Sequence, residues 1–364
     1  MMKIKYFLHR FVKFGAVIFL IKVFQLILNR AELVAQHNGQ LARTPLAKFQ
    51  VFQAEEIVDD VFGLEPVPDI CREFFPDYFN NFDLFRLSKD TINHSHHFDE
   101  RGMPFGLTNL TFDTMLEVLS EVDSAPLPKL SANATCVVVG SSGILSRKNV
   151  SSLIDNYDYV FRFNNAPVYS HRHAVGSKIS FYTTYFSTIR DAIRNGRKDQ
   201  ADQVLYIFTY PKEFLAPLYY INPKKYNKMK AKYFSGIQKS VYKDPPTGRI
   251  YRDMKLFYQN SNITFLSPLL GSQIRNHLLK NERIRATSGL IGLVMAISLC
   301  PNPPDIAGFS LGNSDLYPYH YYSAFKKSYL TKVHNASSET AVIKRMFGCR
   351  LLGNDLTNGI LNIL

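Results

Sequence analysis

The chain has 364 residues, 46% of them hydrophobic and 20% charged, with a net charge of +13. That length and apolar content can bury one large core or two modest ones, and no internal repeat or low-complexity tract interrupts it. The positive charge does not amount to nucleic-acid binding: ten Lys and Arg against two acids fall between Asn222 and Lys255 with no nucleic-acid motif beside them. That run, with Lys224, Lys225, Lys228, Lys230 and Lys232, reads as a solvated loop or an anion-facing surface.

At the N-terminus, Phe14 to Leu28 reads FGAVIFLIKVFQLIL behind a flank carrying Lys3, Lys5, Arg10 and Lys13. The basic flank stays cytoplasmic. The following Asn29-Arg30-Ala31-Glu32 offers a poor cleavage site, so an uncleaved type II anchor over 14–28, behind a cytoplasmic tail over 1–13, is preferred to a cleaved signal. Lys22 costs insertion energy unless it snorkels, and the short span suits a thin early-secretory membrane. Either reading sends the rest of the chain into the lumen. Asn-x-Ser/Thr sequons at Asn93, Asn109, Asn133, Asn149, Asn262 and Asn335 agree with that route.

Residues 29–70 hold no sustained apolar period and read as a stem, with the globular domain over 71–364. Cys71, Cys136, Cys300 and Cys349 all fall on the lumenal side, where disulfides persist. Their spacing matches neither a zinc site nor a Cys-x-x-Cys pair, so two structural bridges are expected, with all pairings open.

Within the domain, Thr135 to Gly140 predicts a buried strand, Gly140 to Gly143 a turn, Ile144 to Ile154 a helix and Asp158 to Asn164 a second strand. Val204 to Tyr210, Ile263 to Ser267 and Asp305 to Phe309 predict further strands. Ser288 to Cys300 predicts an apolar helix, with Thr287 or Ser288 as its cap. The alternation implies an α/β domain with a mostly parallel central sheet flanked by helices.

In such a sheet, ligands bind beyond the carboxyl ends of the strands, where a glycine turn and a helix N-terminus can approach a negative group. The Gly-Ser-Ser-Gly turn therefore reads as a nucleotide or phosphate cradle, although the same residues make an ordinary tight turn. It lacks the Gly-x-Gly-x-x-Gly spacing of dinucleotide folds, which counts against an oxidoreductase, and the Gly-Lys-Ser/Thr of P-loops. A nucleophile elbow would need Gly-x-Ser-x-Gly, absent at this turn. Near the C-terminus, His320-Tyr321-Tyr322-Ser323 precedes His334 and Glu339, a set able to supply a general base and a phosphate partner. A histidine within YPYHYY serves equally well as a packed, hydrogen-bonded side chain, and Glu339 as an acid favourable to a helix dipole.

CVVVGSSGILSRKNVSSLIDNYDYVFRFNNAPV, Cys136 to Val168, resembles the long sialyl motif of eukaryotic sialyltransferases, including Arg162, Asn164, Ala166-Pro167 and the later Val175-Gly176. Ala286 to Ser310 resembles the short motif, His320-Tyr321-Tyr322 the third, and His334 with Glu339 the very short His-x4-Glu motif. Their order along 136–345 is more specific than any one of them. The resemblance implies a Golgi membrane glycosyltransferase with a single Rossmann-type domain of the GT-A-like variant. Such an enzyme moves sialic acid from CMP-sialic acid to a glycan hydroxyl of a glycoprotein or glycolipid, inverting and needing no metal or other cofactor. By family pattern Cys136 pairs with Cys300, leaving Cys71 with Cys349. His334 is implied as the base on the acceptor and His320 as donor to the departing phosphate. Ser141, Ser142, Asn164, Thr287, Ser288 and Gly289 are implied to line the CMP site, with Gly308 and Phe309 near the cytidine and Tyr321 on the phosphate side. A transferase of another CMP-linked keto sugar, or an inactive nucleotide- or glycan-binding relative, fits the same motifs.

Overall fold

A computed structural model describes residues 67–80, 85–88, 117, 119–121, 124–194, 201–207, 211–234, 248–280, 285–312, 316–323 and 334–359. The tail and anchor, nearly all of the stem, and the sequons at Asn93 and Asn109 lie outside these residues. No helix among the described residues is long and apolar enough to cross a membrane.

One parallel sheet runs through the domain, built from β1 (Cys136–Val139), β2 (Tyr159–Phe163), β3 (Phe181–Thr184), β4 (Gln203–Ile207), β5 (Ile263–Leu266) and β6 (Asp305–Ala307). The spatial order is β5-β4-β3-β2-β1-β6. The helices are α1 (Val67–Phe74), α2 (Ser151–Asp155), α3 (Arg172–Val175), α4 (Phe186–Arg194), α5 (Pro211–Ile221), α6 (Pro223–Phe234), α7 (Gly248–Asn260), α8 (Pro268–Gln273), α9 (Ser288–Leu299) and α10 (Ala336–Gly348).

Successive strand residues point to opposite faces, and here both faces are buried. Cys136, Val138, Phe161, Phe163, Phe181 and Leu205 join the core that contains α9 and α10. Val137, Val139 and Val160 face a second core with Leu145, Val150 and Ile154. Val204, Tyr206, Ile263 and Phe265 face a third, rich in tyrosine, built with α5, α6 and α7. Helix α9 lies close on the sheet because Gly292 has no side chain: a Cβ there would stand 2.0 Å from Phe163 Cε1.

The chain winds from β1 out to β5 and then returns to place β6 on the other side of β1. Both disulfides form, Cys71–Cys349 and Cys136–Cys300. The second joins the first residue of β1 to the residue after α9, and so fixes the return to β6.

Four points differ from the expectations. The helix predicted over 144–154 divides into a 3-10 turn, Gly143–Arg147, and α2, because Lys148 is extended and lets Val150 turn inward to bury. The basic run is not simply a loop: its five lysines sit on α6, which Tyr226 and Met229 seat in the core while Lys224 and Lys228 face solvent. Strand β3 has no counterpart in the sequence reading, since FYTT is short and its Thr183 and Thr184 are polar residues buried in a parallel strand. The predicted strand ends shift inward, with Ser267 capping α8 rather than ending β5 and 208–210 outside the described residues.

Replacing both Cys136 and Cys300 with alanine should lower the unfolding free energy by on the order of 2–5 kcal/mol. Urea denaturation under oxidising conditions measures this. A change under about 0.5 kcal/mol would show that packing alone holds the return to β6.

Candidate functional site

The reversal of winding between β1 and β6 opens a crevice at their carboxyl ends. Two turns meet there. Gly140 N–H donates to Ala307 O at 2.7 Å and Ser142 N–H to Gly308 O at 3.0 Å. A Cβ on Gly140 would lie 2.4 Å from Gly308 O, and Gly308 itself sits at φ +74°, so both positions require glycine. Ser142 is buried, and its Oγ accepts from Ser310 Oγ at 3.0 Å and from Ile144 N at 3.4 Å, starting the 3-10 turn. Gly143 N–H donates to Pro318 O at 3.0 Å, and Tyr321 N–H to Ser141 O at 2.9 Å. The amides of Gly140, Ser142 and Gly143 are thus occupied inside the protein, whereas the Ser141 amide has no backbone partner among the described residues.

The other wall is the start of α9. Thr287 caps it, accepting from Leu290 N at 3.1 Å, which settles the choice between Thr287 and Ser288. Ser288 and Gly289 form its first turn, where helix amides lack intrahelical partners. Ser288 Oγ donates to Asn164 Oδ1 at 3.1 Å. Asn164 follows β2 at φ 51°, and its backbone is held by its own N–H to Thr183 O at 2.9 Å and by Tyr182 OH. The Phe309 ring joins the two walls: a Cβ on Gly140 would be 3.2 Å from its Cδ2 and one on Gly289 3.5 Å from its Cε1.

His334 precedes Asn335, the residue that caps α10 by accepting from Ser338 N at 3.0 Å. Its Nδ1 lies 2.8 Å from Arg285 O. A carbonyl only accepts, so Nδ1 carries the hydrogen and the neutral ring keeps a lone pair on Nε2. Four residues into α10, the buried Glu339 accepts from Thr287 N at 2.8 Å and Thr287 Oγ1 at 2.6 Å. Burial pushes its carboxyl up to about 7 against the lowering effect of those two donors.

His320 stands beside the β1 turn, where its neighbour Tyr321 bonds Ser141. Its ring stacks on Tyr322 with centroids 4.8 Å apart and meets Tyr319 edge-on at 4.5 Å. Burial brings it down to about 4, so near neutral pH it is an uncharged imidazole that can still donate one N–H. Tyr321 is buried and its hydroxyl donates to Pro167 O at 2.9 Å. Arg162, also buried, donates to Lys178 O at 2.8 Å and Val175 O at 2.6 Å, tying the end of α3 to the sheet. Among the described residues, no group of three or more His, Cys, Asp or Glu side chains is placed to hold a metal ion.

The family model described as glycosyltransferase family 29 (sialyltransferase) matches residues 85–349. The chain belongs to this family. It is 28% identical over 263 residues to the mouse CMP-N-acetylneuraminate-beta-1,4-galactoside alpha-2,3-sialyltransferase, covering 71% of this chain and 67% of the relative. It is 29% identical over 250 residues to the human type 2 lactosamine alpha-2,3-sialyltransferase, covering 65% and 67%. A crystal structure of a mammalian sialyltransferase in complex with Gal-beta-1-3GalNAc-ortho-nitrophenol shares the fold, with a TM-score of 0.55 at 18% identity over 79% of this chain and 95% of that one. The protein is therefore a sialyltransferase, using a CMP-sugar donor and a glycan acceptor.

The sialyltransferase motifs recognised in the sequence thus meet at one crevice. The long and third motifs join through Ser141–Tyr321 and the short and very short motifs through Thr287–Glu339, with Gly143–Pro318 and Arg285–His334 alongside them. Sequence reasoning missed Ser310, His171, whose ring is 5.3 Å from that of Tyr321, and the C-terminal turn Asp355 to Asn358. Only the last carried a signal, an Asp-x-Thr-Asn string of turn residues.

Glu339 has a folded-state value raised above that of the unfolded chain, so its protonated form favours folding. That contribution is fully present below about 4.5 and is lost as pH rises to about 7. Glu339→Gln should remove this slope from the pH dependence of the unfolding free energy, an effect of roughly 3 kcal/mol between those limits. An unchanged slope would show that Glu339 titrates alike in the folded and unfolded chain.

Proposed function

We propose that this sialyltransferase transfers sialic acid from CMP-sialic acid to the 3-hydroxyl of a terminal galactose, with inversion and without a metal ion. The observation that carries the reading is the 2.8 Å contact of His334 Nδ1 with the Arg285 carbonyl. Its Nδ1–H is engaged by the Arg285 carbonyl, so Nε2 is free to take the proton of the acceptor hydroxyl. The hydroxyl oxygen attacks the anomeric carbon as the bond from that carbon to the CMP phosphate breaks, and a single displacement inverts the centre. His320 donates its N–H to the departing phosphate oxygen. An imidazole held neutral by burial gains most from an arriving anion, which draws a proton towards it.

The donor phosphate faces the Ser141 amide and hydroxyl and the first turn of α9 at Ser288 and Gly289, where a helix N-terminus favours negative charge. Gly308 and Phe309 lie on the cytidine side. Ser142, Asn164, Thr287 and Tyr321 act through the bonds that shape these walls. The linkage and the galactose acceptor follow the relatives, both named as alpha-2,3-sialyltransferases. The sequence contains no Asp-x-Asp triplet, in keeping with metal-independent transfer. Residues 14–28 anchor the protein in the Golgi membrane with the domain in the lumen. The basic flank supports this orientation, and two disulfides suit an oxidising compartment.

The full-length protein, incubated with CMP-sialic acid, galactose-terminated acceptors and a chelator, should yield a product cleaved by an α2,3-specific sialidase. CMP binding without transfer to any acceptor would point to another CMP-linked keto sugar or to an inactive relative.

His334→Ala should lower kcat by about 10²–10⁴-fold while CMP affinity stays within about threefold. A loss smaller than about tenfold would remove His334 as the base.

A further inference from the structure

We infer that Asp355 is a positioning residue for the donor nucleotide, acting through the turn Asp355 to Asn358 on the Gly308–Phe309 side of the cradle. The inference rests on reading the β1–β6 crevice as the CMP site. Asp355 lies beyond residue 349, where the family match ends.

The segment runs beside β6 as a further parallel partner. Ile306 N–H donates to Asn354 O at 2.8 Å and Leu356 N–H to Ile306 O at 2.9 Å, pairing Ile306 with Asp355. The Asp355 side chain is wholly buried. A buried carboxylate needs compensating donors, and its own turn supplies them. Oδ1 accepts from Thr357 N at 2.9 Å, Thr357 Oγ1 at 2.8 Å and Asn358 N at 3.1 Å, and Oδ2 from Asn358 Nδ2 at 2.6 Å.

These bonds fix the direction of the two that leave the turn. Because the Thr357 hydroxyl gives its proton to Asp355, its oxygen is left to accept, and it takes the Gly308 N–H at 3.1 Å. Asn358 Nδ2 directs its second hydrogen to Phe309 O at 3.0 Å. Both outward bonds therefore end on the two residues that follow β6. Gly308 O in turn accepts from Ser142 N, and the Phe309 ring reaches Gly140 and Gly289. One carboxylate thus sets the height of the β6 turn against both walls of the crevice. A turn serving only to close the C-terminus would have no need to bond both residues of a ligand-side loop.

The test measures CMP affinity by calorimetry, and donor and acceptor kinetics with CMP-sialic acid, on the full-length protein. Thr357→Val keeps the shape but removes the acceptor for Gly308; Thr357→Ser keeps it. Thr357→Val and Asp355→Asn should each weaken CMP binding and raise the donor KM by roughly tenfold, with kcat falling less than about threefold. Thr357→Ser should stay within about twofold of the unmodified protein. Asn358→Ala, which cuts the bond to Phe309, gives the same readout should Thr357→Val fail to fold. A Thr357→Val or Asn358→Ala protein that lowers Tm with CMP affinity and donor KM unchanged overturns the inference and leaves the cradle standing. An unmodified protein that does not bind CMP overturns both.

Discussion

Everything at the crevice depends on how closely the turns after β1 and β6 approach each other. The Ser142 amide reaches the Gly308 carbonyl, and Gly140 lies so near it that a single added carbon would sit 2.4 Å from that oxygen. Such contact is open only to a backbone without side chains at both points. It consumes most of the amides that a glycine turn would otherwise offer to a phosphate. The turn is therefore less a bare anion nest than a rigid frame, presenting Ser141 on one side and Phe309 across from it.

The second wall is held by a different device. α9 starts at Thr287 and α10 at Asn335, and the two starts are bound through Glu339 and His334. Glu339 is close to fully buried, so its carboxyl pulls in two directions: desolvation favours the neutral acid, while the Thr287 amide and hydroxyl favour the anion. The first effect is the larger. His334 is oriented by the Arg285 carbonyl, which holds the hydrogen on Nδ1. His320 is held by stacking and burial in a tyrosine cluster, which keeps it uncharged near neutral pH.

Much of this was legible in advance. The apolar run CVVV, the glycine turn, the apolar helix with its Thr-Ser start and the two histidines each carry a local signal, and the order of the motifs named the family that the match over 85–349 establishes. The disulfide pairing came from family resemblance, and the structure forms the same pairs. What was not legible has physical reasons. FYTT is too short and too polar to announce a buried strand, yet Thr183 and Thr184 are fully buried between β2 and β4. The lysine-rich helix is amphipathic through Tyr226 and Met229, a pair masked by the surrounding charge.

By itself, the sequence determined the element types with strong periodicity, the residue types at the crevice and the family, because these depend on neighbours close along the chain. Only the tertiary structure decided which of those residues bond to one another across the crevice. Ser141 and Ser142 are adjacent and chemically identical, but the second is buried in a bond with Ser310 while the first is half-buried, its carbonyl bonded to Tyr321. Thr287 and Ser288, also adjacent, are bonded to different partners, Glu339 and Asn164. The bond from Gly308 to Thr357 spans 49 residues of sequence and exists only because β6 lies beside the C-terminal segment. Hydrogen-bond partners far apart in the chain are chosen by packing, and packing is a property of the whole fold.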